Sequence, residues 1–571
     1  MSPRRALFTA THLQTATYLL AVCPFSIAFL VFLNSSISFV VTDLIGLSDG
    51  EGDAVGTLGF ADELLALMAC PAWGVLSDRI GVRYVCTAGY VIIALALALF
   101  VQCKNVYPQL LLARLLFSVG GAAVSTMVTA VLPSITATGK GPNATENRTS
   151  MSSELTITPG RFVRRTAHRG ETSVTVVRGS SSRLAGFVGM CAGCGALVAL
   201  AVFLPLPARF EKSGLSPSEA IRRSYYTVSA IALVISVICF VGLRNLHGEE
   251  GKGLRSLKGA FKSLSSSSAE ELPAHPAVRT SPLPYWRQFS SAFLLGFKHP
   301  SIGLGYMGGF VARASSVGIS LFIPLFVNNY YKESGLCHEG DGALHGTDIG
   351  SIKKSCPKAY ILAAILTGVS QLVALICAPG FGFLSEKARQ HNLPLLFAAL
   401  AGMVGYTIFP LSPSPRFSGP EGNLGVFAAM ALIGMSQIGA IVCSLAVLSN
   451  GVLEIDTTSF SEEPQSTKPD QINAVENGHT GTDRVPNEEE PLLAKPTTVK
   501  LDDLRHLKGS IAGMYSFYGG AGILLLTKLG GLLFDILSTG APFYILASFN
   551  GILMIAYCFW LSEPSAYVEG Q

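Results

Sequence analysis

Pro71–Arg79 reads PAWGVLSDR, and Pro379–Lys387 reads PGFGFLSEK. Pro, Gly, Leu and Ser recur in register, and each copy ends on an acid followed by a base. Each lies where a long apolar segment runs into a short charged turn. Recurrence after about 300 residues, at the end of another apolar segment, predicts two related halves of a membrane protein.

Composition agrees with that reading. Of 571 residues, 49% are hydrophobic and only 14% charged, against about 25% charged in soluble domains. The mean hydropathy is +0.46. A formal net charge of +4, spread over several loops, lacks the concentrated basic face that nucleic acid requires, so no nucleic-acid partner is expected.

Apolar segments of about 18–25 residues, each able to cross a hydrocarbon core of about 30 Å, recur along the chain. They fall near Thr17–Val41, Val55–Leu76, Tyr84–Gln102, Tyr107–Leu132, Leu184–Phe203 and Tyr226–Leu243. A second set follows near Ile302–Phe326, Tyr360–Leu384, Pro394–Leu411, Leu424–Leu448, Gly509–Leu533 and Phe543–Leu561. The expected fold is therefore all-α and polytopic, with twelve transmembrane helices in two pseudo-symmetric six-helix bundles. The first span has no convincing small-residue cleavage site and reads as a retained helix rather than a signal peptide.

Lys and Arg favour the loops after the even-numbered spans. Arg79, Arg83, Lys387 and Arg389 are there, as are most bases of the long loops. The excess predicts that both termini are cytosolic. Arg222, Arg223, Lys353, Lys354 and Lys358 lie on the opposite side and count against it.

The expected domains are an N-terminal bundle over 1–243, a cytosolic linker over 244–297 and a C-terminal bundle over 298–571. Three polar connections, 137–183, 244–287 and the acidic 450–506, show no sustained helical periodicity and read as largely disordered. The sequons at Asn143 and Asn147 fall in the first of these and, on a cytosolic loop, go unused. In the third, Glu488 precedes Leu492 and Leu493 in the pattern of an acidic dileucine sorting signal. It would be read by a sorting adaptor and adds a vacuolar membrane to the plasma membrane as an expected location.

Most of the twelve cysteines lie inside apolar spans. Cys337 and Cys356 share a polar loop on the non-cytosolic side, where a disulfide is chemically allowed; two free thiols is the alternative. Cys191 and Cys194 have CxxC spacing in a Gly-rich apolar helix, which points to close packing rather than metal or redox chemistry. No metal-ligand constellation, no nucleophile–base pair and no phosphate-binding Gly-x-x-x-x-Gly-Lys loop is present. The expectation is a non-enzyme without metal or cofactor, driven by an ion gradient rather than by ATP.

The loop GVLSDRIGVR, Gly74–Arg83, resembles the motif between the second and third helices of the major facilitator superfamily. The residues that carry the resemblance are Gly74, Leu76, Ser77, Asp78, Arg79, Gly81 and Arg83. The second copy keeps Gly382, Leu384 and Ser385, with Glu386 for Asp and Lys387 for Arg. Arg114-Leu-Leu-Phe-Ser-Val-Gly-Gly-Ala-Ala is similar to the family's fourth-helix motif, except that Phe117 and Ser118 replace Gln and Gly. The overall look is of a fungal-type branch of unassigned substrate. The resemblance implies a secondary transporter working by alternating access.

Independently of any family, Gly74 and Gly81 allow close approach and tight turning. Asp78 can accept hydrogen bonds from a neighbouring helix N-terminus or pair with Arg79, Arg83 or another base. A cluster that forms in one conformation and breaks in another is a gate; the alternative is that these charges only set topology. Ionisable groups inside spans usually face a cavity or a partner. Arg313, mid-span, is the candidate contact for an anionic or polar group of a small-molecule substrate, and Asp62 or Glu63 the candidate carrier of a transported proton. A structural Arg–carboxylate pair between the halves is the alternative for Arg313, and a structural role is favoured for Arg114. Lys528 and Asp535 are expected to snorkel to the lipid interface. A non-transporting receptor or nutrient sensor on the same fold is the other functional reading.

Overall fold

A computed structural model of the chain describes residues 10–46, 51–136, 172–246, 249, 252, 285–335, 357–388, 392–416, 423–461 and 507–562. Among these, twelve helices are long and apolar enough to cross a membrane. In chain order they are α1 (His12–Ile37), α2 (Gly56–Ile80), α3 (Val82–Phe100), α4 (Val106–Thr136), α5 (Ser181–Lys212) and α6 (Pro217–Gly242). A shorter helix, α7 (Tyr285–Lys298), precedes the second set. That set is α8 (Pro300–Glu333), α9 (Ile361–Lys387), α10 (Leu393–Leu411), α11 (Gly425–Leu453), α12 (Lys508–Ile536) and α13 (Ala541–Phe559).

The twelve-span, all-α architecture expected from the sequence is what the chain adopts, but the polar connections are shorter than expected. Helix already begins at Thr172, upstream of α5, and continues to Ser461 beyond α11. Hydrophobic periodicity misses such ends, because polar residues take over while the backbone remains hydrogen-bonded past the apolar boundary. Arg287 likewise sits in α7 and not in an unstructured linker. The sequons, Cys337, Cys356 and the Glu488–Leu493 motif lie outside the described residues.

Packing repeats between the halves. In the first, α1 packs on α5, α2 on α4, and α3 on both α4 and α6. In the second, α8 packs on α12, α9 on α11, and α10 on both α11 and α13. Each pairing maps onto its counterpart by a shift of six spans, which is the pseudo-symmetry the duplicated turn predicts. Contacts between the bundles obey the same rule: α2 meets α12, and α9 meets α5.

Inside the bundles, interhelical hydrogen bonds supplement apolar packing. Tyr18 Oη donates to the Val128 carbonyl (2.6 Å), Tyr90 Oη to that of Val22 (2.9 Å), and Trp73 Nε1 to that of Val119 (2.9 Å). Lipid offers no hydrophobic drive between helices, so these bonds and close packing hold the bundle. Tyr90→Phe should therefore lower stability by about 0.6 kcal/mol, and by no more than about 1.7 kcal/mol, in an unfolding titration from mixed micelles.

Candidate functional site

The first loop motif ends α2 at the interface with α12. Gly74 lies against the Gly509 carbonyl and the Cα of Gly513, where a Cβ would collide with backbone. This close approach brings Asp78 under the start of α12. That helix has no side-chain cap of its own. Asp78 supplies one from another element: the Gly509 N–H donates to Oδ1 (2.6 Å), and the Ser510 N–H and Oγ donate to Oδ2 (2.7 and 2.6 Å). A carboxylate at a helix N-terminus satisfies orphan amides and opposes the positive end of the helix dipole. Asp78 is buried, so these bonds are shielded from water.

The remaining motif residues have other partners. Arg79 donates through Nε and Nη2 to Gln288 Oε1 (3.3 and 3.2 Å) and lies 3.5 Å over the Tyr285 ring, both on α7. Arg83 Nε donates to the Phe240 carbonyl (2.6 Å), and its guanidinium covers the Phe240 ring. Gly81 has φ +97°, a left-handed geometry suited to glycine. It precedes α3, which again lacks its own side-chain cap. Here the carboxylate of Glu249 accepts from the Val82 N–H (2.9 and 3.0 Å). Nothing in the sequence singled out Glu249. It sits in a polar stretch after α6, and only folding brings it beneath α3.

The second copy meets α5. Gly382 and Gly186 approach Cα to Cα with no room for a side chain, and Glu386 forms an ion pair with Arg183. Ser385 Oγ donates to Ser182 Oγ (3.4 Å). Lys387 is exposed. The two copies thus bind in different ways: Asp78 to the amides and hydroxyl of a helix start, Glu386 to a side-chain cation that is about one-third exposed.

Deeper in the spans, Asp62 and Glu63 diverge. Asp62 pairs with Arg114 (2.6 Å), and Arg114 also donates to Asn34 Oδ1 (2.6 Å). Asp62 and Arg114 are buried within the first bundle, while Arg114 Nε and Nη1 have no hydrogen-bond partner among the described residues. Glu63, one residue on and about 100° around the helix, is only half-buried. It lies in the fields of Arg313 and Arg114 as well as of Asp62. Arg313 has no carboxylate within ion-pair distance among the described residues. Its stem lies against Gly519, and its charge reaches Tyr515 and Cys70. The residues around Arg313 therefore come from α2, α8 and α12, which belong to both bundles.

Other polar side chains within the spans are tied into packing. Gln371 donates to Gln437, Gln437 to Ser316, and Tyr515 and Ser444 share a hydrogen bond. Tyr518 stacks on Tyr306. Lys528 of α12, which is exposed, holds its ammonium 4.0 Å over the Phe60 ring of α2. From Asp78 to Phe60 the contact between these helices runs about 27 Å, at 1.5 Å per residue.

The geometry is thus that of two six-helix bundles joined at one end, with a half-buried arginine inside the spans. Residues 24–144 match the sequence model of the Major Facilitator Superfamily. That match covers most of the first four spans, and for the rest of the chain the likeness is one of fold. Superposition on the major facilitator superfamily proton:xylose symporter XylE, solved with 6-bromo-6-deoxy-D-glucose, covers 97% of this chain and 95% of that one. The TM-score is 0.52 at 12% identity, a likeness of fold alone. No curated protein matches the sequence.

Replacing Asp78 by Asn leaves one good acceptor for three donors. Charged hydrogen bonds contribute about 1.5–3 kcal/mol each, so Asp78→Asn should open the α2–α12 contact. A cysteine placed at the buried Ile511 should then react with a water-soluble maleimide about tenfold faster or more.

Burial raises the Glu249 carboxyl above its ordinary value of 4.5, opposed by Lys252, the Val82 and Arg83 amides and Lys508. A raised folded-state value means that its stabilising contribution is complete below the ordinary glutamate range and is lost as pH rises through the raised one. Thermal stability should accordingly fall as pH rises above the ordinary glutamate value, and Glu249→Gln should flatten that slope.

Proposed function

We propose that the chain is a proton-coupled secondary transporter of a small anionic solute. Arg313 carries this reading: it is a half-buried cation in the middle of a span with no carboxylate within ion-pair distance among the described residues. Such a charge is costly in the membrane unless it faces water or a ligand. A carboxylate or comparable anion would complete it, with a charge-assisted and, for Arg, two-pronged hydrogen bond.

Of the two acids, Glu63 is the proton carrier. Asp62 is committed to Arg114 at 2.6 Å, whereas Glu63 stands half-buried between positive charges from both bundles. An ionised Glu63 would compete with the solute for the field of Arg313, and protonation removes the competitor. The solute and a proton would therefore travel together, with electrical balance kept inside the cavity.

Movement follows from the latches. Asp78 with α12, and Glu386 with Arg183, join the two bundles at one end and must part for the cavity to open there. In this reading the bundles are 1–243 and 298–571, the Asp78 face is cytosolic and both termini lie on that side. The charge bias of the loops supports this orientation. The vacuolar and plasma membranes are the two candidate locations.

Uptake of a panel of small anions into vesicles reconstituted with the protein, with and without an inward proton gradient, tests the proposal. The gradient should accelerate uptake of at least one anion. Arg313→Ala should raise its KM about tenfold or more, and Glu63→Gln should abolish gradient-driven accumulation while sparing exchange. Uptake indifferent to pH, with an unchanged KM in Arg313→Ala, would sink both assignments.

A further inference from the structure

The motif residue Arg79 is held by a helix that crosses no membrane. Fourteen residues long, α7 ends at Lys298, and α8 starts at Pro300 with only His299 between them. Its level along the membrane normal is thereby fixed at the end of a span. Arg79, at the end of α2, marks the same level by its contacts to Tyr285 and Gln288.

The faces of α7 are sharply different. Gln288, Ala292 and Leu295 are buried against the protein. Trp286, Phe293 and Phe297 fall within about 40° of one another on the other side of the helix, at 100° per residue. Trp286 is 78% exposed and Phe297 73%. Arg287 and Lys298, both exposed, sit together about 100° from that apolar side. Trp286 and Phe289 meet edge to face, and Phe297 packs at 5.4 Å on Phe293, which itself stacks on Tyr518 of α12, so protein contacts hold the two outermost rings in place. Two aromatic rings exposed to water over most of their area would be unfavourable by several kcal/mol. Aromatic rings on one side and Arg and Lys on the next suit a helix lying in the headgroup–acyl boundary.

We infer that α7 is a membrane-surface anchor: Trp286 and Phe297 insert into the leaflet on the Asp78 side, and Arg287 and Lys298 lie at its phosphates. The partner is the surrounding bilayer, and the helix it seats is the one that holds Arg79. Bilayer contact therefore positions one residue of the inter-bundle motif. This inference is independent of the transported solute and of the coupling ion.

Tryptophan fluorescence decides it on the full-length protein in phosphatidylcholine–phosphatidylserine vesicles. The emission lost in Trp286→Phe gives the contribution of Trp286. Lipids brominated near the glycerol end of their chains should quench that contribution by about half or more, as expected for a ring roughly 5–10 Å below the headgroups. Aqueous iodide should quench it little. Quenching by iodide and not by bromolipid, or by neither, would overturn the assignment, since the ring would then lie in water or under protein. In Trp286→Ser/Phe297→Ser protein in the same vesicles, amide hydrogen exchange across 285–298 should rise about tenfold or more. Unchanged exchange would remove the anchoring role.

Discussion

A helix that starts without a cap leaves amide donors unsatisfied, and much of this molecule's design answers that constraint at one face. Both α3 and α12 begin there with no side-chain cap of their own. Each receives a carboxylate from a distant part of the chain, Glu249 for α3 and Asp78 for α12. Local capping would have made these helices self-sufficient. Borrowed capping makes each helix start depend on where another element stands. Because Asp78 and α12 belong to different bundles, satisfying the amides and joining the bundles are a single event. The glycines at 74, 509 and 513 serve it by letting backbones approach closely enough for a short aspartate to reach.

Polar groups within the spans divide into two sets. Some are consumed in packing, such as Asp62 with Arg114 or Gln371 with Gln437. Others, chiefly Arg313 and Glu63, are half-buried and have no ion-pair partner among the described residues. Static pairs keep each bundle rigid. These residues lie where helices of both bundles converge.

Much of this was legible in the sequence, for definite reasons. Lipid demands long apolar segments, so the twelve spans could be counted directly. The duplicated turn announced the relation between halves, and the chemistry of Asp78 admitted a helix N-terminus as its partner. The specific partners were not legible. Ser510 lies 432 residues from Asp78, and no periodicity links them. Glu249 and Gln288 carry no local pattern either, since their roles arise only when loop and interfacial helix fold against α2 and α3. Adjacent acids were indistinguishable on paper, yet a rotation of one helical step gave Asp62 an arginine and left Glu63 half-exposed. The ring beneath Lys528 was not legible either, because Phe60 lies on another helix far away in sequence.

The two copies of the turn also differ in how they respond to the surrounding solution. Asp78 binds neutral amides and a hydroxyl in a site closed to water, where dissolved ions scarcely penetrate. Arg183 and Glu386 form a charge pair whose side chains are 34% and 26% exposed, and such pairs weaken as counter-ions gather within a Debye length of about 8 Å at physiological salt. The joint between the bundles is thus unequal across its pseudo-twofold axis: both sides share close glycine packing, but only the α5–α9 side adds a pair that salt can screen. A compartment of high salt would weaken the α5–α9 contact before the α2–α12 contact.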